Sequence, residues 1–63
     1  MTFAEKVKYA RLKLYMSQET FAKEIGVSFA TVNRWESKEM PPRLVSQKLF
    51  YDYCKKNDIK FEG

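Results

Sequence analysis

The chain has no histidine and a single cysteine, Cys54, so an imidazole base, a nucleophile paired with imidazole and a Cys/His metal cluster are all excluded. Asp52, Asp58 and Glu62 are scattered through a charged C-terminal segment and read as solvated carboxylates rather than an acid/base pair. No enzyme activity, metal, cofactor or small-molecule substrate is expected. The side chains whose types and spacing carry chemistry are Phe29, Ala30, Asn33 and Arg34. On a helix that turns Val32 and Trp35 inward, these four share the outward face. Arginine can bond bidentately to guanine O6 and N7, asparagine to adenine, and Phe29 and Ala30 offer apolar contact to thymine methyls; each good bidentate pair discriminates by roughly 1–3 kcal/mol. Arg34 read alone is also a plain surface charge, and Phe29, at a helix start, can equally fold onto the core. Ser28 and Thr31 carry hydroxyls suited to phosphate at the same helix start, although capping alone accounts for Ser28. Gln18 opens the preceding helix, whose first amides also suit phosphate.

The elements that must position these groups are legible in the spacing. Phe3, Val7, Ala10 and Leu14 recur at helical intervals, with Lys6, Lys8 and Lys13 between them, which predicts an amphipathic helix over roughly 3–14. Thr2 and Glu5 have the spacing of a capping box. Ser17 suits the N-cap of a second helix over about 18–25, with Met16 and Phe21 at hydrophobic-staple spacing. Gly26 supplies a left-handed C-cap and Ser28 the next N-cap, so a third helix is expected over about 29–36 after a minimal turn. Pro41 and Pro42 stop any continuation and preset the following helix, leaving Ser37 to Met40 as a loop. Leu44, Val45, Leu49, Phe50 and Tyr53 then keep helical spacing to about 56, and Ile59 and Phe61 sit in a short tail that can lie back on the core. The expected core of the central unit is Phe21, Ala22, Ile25, Val27, Val32 and Trp35.

Composition agrees with one small folded domain over 1–63. The chain is 63 residues long, 44% hydrophobic and 16% aromatic, with two Gly and two Pro. A chain of this length buries only about 60% of its unfolded surface, so one thin core rich in aromatics is expected. Net charge is +4. The basic excess lies at the two ends, in Lys6, Lys8, Arg11 and Lys13 and in Arg43, Lys48, Lys55, Lys56 and Lys60, and suggests a polyanionic partner. Residues 1–14 lack the apolar segment of a signal peptide, and no stretch is long enough to span a bilayer. One cysteine cannot form an internal disulfide, and a covalent dimer through Cys54 is not the expected state, so an unprocessed protein of the reduced cytoplasm is anticipated.

Three segments together, Met16-Ser17-Gln18-Glu19-Thr20-Phe21-Ala22, Ile25-Gly26-Val27-Ser28 and Val32-Asn33-Arg34-Trp35-Glu36, resemble the helix-turn-helix signature of the Cro and phage-repressor (XRE) family. The resemblance covers roughly residues 3 to 50. It implies a compact all-α repressor-like fold, usually of five helices, where this chain has room for four and a C-terminal tail. It implies operator binding to double-stranded DNA, often as a symmetric dimer, by a regulator of bacterial or phage type that is associated with the nucleoid. The helix-turn-helix spans about 17–36, with Gln18 against the DNA backbone and Arg43 at a position that approaches the backbone or minor groove. Lys38 is a looser backbone candidate, because Lys38-Glu39 stands where the family loop commonly carries Gly. Glu36 lies at a helix end whose dipole disfavours a carboxylate, and so calls for a cation; Arg11 and Glu36 match a family pair joining the first helix to the third. The expected function is sequence-specific DNA binding by a small, repressor-like transcriptional regulator. The alternative is a module of the same fold that docks a protein through Phe29, Phe50, Tyr51, Ile59 and Phe61. A homodimer is expected to form through the fourth helix and the tail.

Overall fold

Four helices succeed one another in the computed structural model, which describes residues 1–37 and 43–61: α1 (Phe3–Lys13), α2 (Gln18–Ile25), α3 (Phe29–Ser37) and α4 (Leu44–Lys56). The architecture is all-α. Thr2 begins α1 with a closed capping box: its Oγ1 accepts from the Glu5 amide at 3.2 Å, and its own amide donates to Glu5 Oε1 at 2.8 Å. Ser17 Oγ accepts from the Thr20 amide at 3.1 Å and caps α2 in the same manner.

The helix ends share one device. Tyr15, Gly26 and Asp58 adopt left-handed backbone with φ of 56°, 93° and 56°. In each case the next amide reaches back to a carbonyl of the helix just ended: Met16 to Arg11 at 3.1 Å, Val27 to Ala22 at 2.9 Å and Ile59 to Cys54 at 2.8 Å. The residue after each left-handed position is apolar and packs on the core, as expected of a Schellman-type end. Thus the turns that redirect the chain also deliver Met16, Val27 and Ile59 inward.

Phe50 sits fully buried at the centre. Its ring centroid lies 5.2 Å from Phe3, 6.3 Å from Phe21, 6.3 Å from Trp35 and 6.0 Å from Phe61, so one side chain touches α1, α2, α3 and the tail. All but the Phe61 pair meet edge to face, the favourable arrangement for ring quadrupoles. Val7, Ala10, Phe21, Ala22, Val32, Trp35, Cys54 and Ile59 complete the buried cluster. Helices α1 and α2 both pack on α3. The tail closes the open side, with Phe61 5.7 Å from Tyr9 of α1.

Several expectations are corrected by this packing. Ile25 and Val27 are partly buried at the margin of the core rather than inside it. Ser37 belongs to the last turn of α3, not to a loop; residues 38–42 lie outside the described residues. Of the apolar positions along α4, Leu44 and Val45 are 82% and 72% exposed, because Phe50 and Cys54 define the buried face. Phe50 and Ile59 are buried, which removes them from the surface that a protein-docking reading requires.

Tyr15 is 98% exposed, so its side chain has no packing to lose, while its left-handed backbone penalises any residue with a Cβ. Tyr15→Gly is therefore expected to stabilise the fold by about 1 kcal/mol in urea denaturation. Burial pushes the Cys54 thiol up from 9.0 to about 11. The folded chain holds this proton more tightly than the unfolded chain, so the contribution is complete below pH 9 and is lost as pH rises through about 11. Across that window the wild type should lose on the order of 2 kcal/mol more stability than Cys54→Ala; parallel pH profiles would remove Cys54 as the source.

Candidate nucleic-acid interface

The turn between α2 and α3 decides how the outward face of α3 is presented. Gly26 and Val27 both donate to the Ala22 carbonyl, and Ser28, two residues after Gly26, immediately precedes α3. A Cβ built on Gly26 would meet nothing within 4 Å, so glycine is required there by its φ of 93° and not by crowding. Ser28 Oγ accepts from the Thr31 amide at 3.1 Å and shares a 2.8 Å bond with Thr31 Oγ1. Val32 and Trp35 are buried, which fixes the rotation of α3 about its axis.

That rotation places Phe29, Ala30, Asn33 and Arg34 side by side on the opposite face. Together with Ser37 they line one shallow depression of about 300 Å³. Phe29 is 50% exposed, so it stands on the surface instead of folding into the core. Among the described residues, Arg34 and Asn33 have no side-chain hydrogen-bond or ion-pair partner, and their donors face solvent. Ser37 was missed as a member of this face because the proline signal drew the helix end too early. Its hydroxyl donates to the Arg34 carbonyl at 2.8 Å, satisfying one of the open carbonyls of the last turn.

The groups expected against phosphate lie at helix starts. Gln18 is the first residue of α2 and is half-buried; Ser28 is exposed, and Thr31 is half-buried beside it. Arg43 precedes α4, exposed, with no side-chain cap bond. Lys38 lies outside the described residues.

Arg11 holds α3 from behind. Its Nε donates to Glu36 Oε2 at 2.9 Å and one terminal nitrogen to Oε1 at 3.2 Å, while the other donates to the Met16 carbonyl at 3.0 Å. The side chains are only 14% and 9% exposed. A planar guanidinium thus ties α1, the α1–α2 turn and the end of α3 into one unit, with fork geometry that lysine cannot reproduce. Arg11→Ala should cost about 3 kcal/mol by leaving Glu36 shielded and unpaired. Urea denaturation of Arg11→Ala and Glu36→Gln tests this, and unchanged midpoints would contradict it.

A family model described as helix-turn-helix matches residues 7–56, a span that runs from within α1 to the end of α4. Neither the curated proteins nor the solved structures gave a match. With most of the chain matched and the two-helix unit built as described, the chain belongs to the Cro and phage-repressor (XRE) family of DNA-binding helix-turn-helix regulators.

Proposed function

We propose that this protein is a sequence-specific, repressor-like transcriptional regulator that lays α3 in the major groove of double-stranded DNA. The observation that carries the reading is the alignment of Phe29, Ala30, Asn33 and Arg34 along the free face of α3, with both polar members unpaired among the described residues. In this reading Arg34 selects guanine and Asn33 adenine, while Phe29 and Ala30 meet thymine methyls. Gln18, Ser28, Thr31 and Arg43 take the phosphate backbone, with Lys38 beside them. The segment holding α2 and α3 is the least basic of the chain, so affinity draws on the basic residues of the flanks.

The working form is a homodimer. Leu44, Val45 and Leu49 leave an apolar strip on α4, the last of them 43% exposed, and a second copy is the partner that would cover it. The tail contributes less to such a contact than its composition suggests, since Ile59 faces the protein's own core. Two copies double the phosphate contacts and read half-sites about one helical turn apart. No described helix is long and apolar enough to cross a membrane, and we place the regulator on the nucleoid in the cytoplasm.

Selection of bound duplexes from a random library at fixed salt tests both parts. An inverted repeat with half-sites about 10 base pairs apart is expected, whereas a lone half-site would overturn the dimer. Arg34→Ala should relax preference at one base position, at a cost of roughly 1–3 kcal/mol. Arg43→Ala should weaken all sequences about equally and lower the salt slope by about one. Equal losses on all sequences from both variants would remove the base-reading role of Arg34.

A further inference from the structure

Between α1, the C-terminal half of α4 and the returning tail lies a concavity of about 620 Å³, unrelated to the reading face and sharing no residue with it. This volume falls in the range of small-molecule sites. Among the described residues, its wall carries three ammonium groups, Lys6, Lys55 and Lys60, against one carboxylate, Asp58. None of the three lysines enters an ion pair among the described residues. Tyr51 and Phe61 supply its aromatic surface.

Lys6 is held over that surface. Its Nζ lies 5.4 Å from the centroid of Tyr51 and 5.7 Å from that of Phe61, and donates to the Tyr51 hydroxyl at 3.4 Å. Two aromatic side chains therefore position a cation with donors left over, since an ammonium has three and one is engaged. Lys55 and Lys60 are exposed and approach the same concavity from α4 and the tail. The three charges line one hollow, which suits a single anionic group.

We propose that this concavity binds a small organic anion with a flat aromatic body, its carboxylate or phosphate held by Lys6, Lys55 and Lys60 and its ring laid against Tyr51 and Phe61. Such a ligand joins the first helix to the tail and so stabilises the folded chain by mass action. The site is independent of the DNA-reading proposal, and it stands or falls separately.

The test is a titration of the full-length ¹⁵N-labelled chain with 1-naphthoate and with 1-naphthyl phosphate, using neutral 1-naphthamide as the comparison. Saturable amide shifts at Lys6, Tyr51 and residues 54–61 are expected, with a matching rise in Tm. Whichever of the two acids binds more tightly identifies the preferred head group. The neutral amide should bind about tenfold more weakly, and so should either acid to the Lys55→Ala/Lys60→Ala variant, whose two exposed side chains leave the core untouched. Shifts centred on residues 29–37 or Arg43, equal binding of the amide, unchanged binding by the variant, or no saturation up to about 5 mM would each overturn the proposal.

Discussion

The domain depends on where one guanidinium is placed. Arg11 sits near the end of α1 and satisfies both oxygens of Glu36 and the backbone carbonyl of Met16. A carboxylate at the C-terminal end of α3 is unfavourable by itself, since the helix dipole places partial negative charge there. With Arg11 present, that liability becomes the link that sets α3 against α1. Trp35 and Val32 fix the roll of α3, and Glu36 fixes its far end, so the outward residues have a single presentation. The hydrophobic core alone would permit sliding, because burial is non-directional, whereas a bidentate pair is not.

Much of this was legible from residue types. The caps at Thr2, Ser17 and Ser28 and the left-handed Gly26 each have a chemical signature, and they place α1, α2 and the start of α3 where the structure has them. The inward pair Val32 and Trp35 follows from spacing, and with it the outward set on α3. What was not legible was the burial of α4. Leu44, Val45 and Leu49 have the hydrophobicity of core residues, but only the direction from which α1, α2 and the tail approach reveals that Phe50 and Cys54 take the inner face. The left-handed end at Tyr15 was equally hidden, because no local signal marks tyrosine for positive φ, whereas Asn57 and Asp58 are of the types that end helices; the back-bonds of Met16 and Ile59 hold both ends.

Charge and shape are divided between different parts of the molecule. The face expected to read bases carries a single arginine among polar and apolar neighbours, while most lysines lie on α1, α4 and the tail. In the proposed reading, discrimination and attraction rest on separate residues, and substitutions in one set leave the other intact. On that proposal, salt is expected to weaken the attraction of the flanks more than the base contacts of α3.

The tail has a consequence for the order in which the chain assembles. The α2–turn–α3 unit is built from contacts close in sequence, which form early and at little entropic cost. Phe61 against Tyr9 joins positions near opposite ends of the chain, and that loop is expensive to close before the rest is in place. On this ground the aromatic seal over Phe50 is expected to form last and to open first, with partial opening that begins at the tail while the helix-turn-helix is still intact.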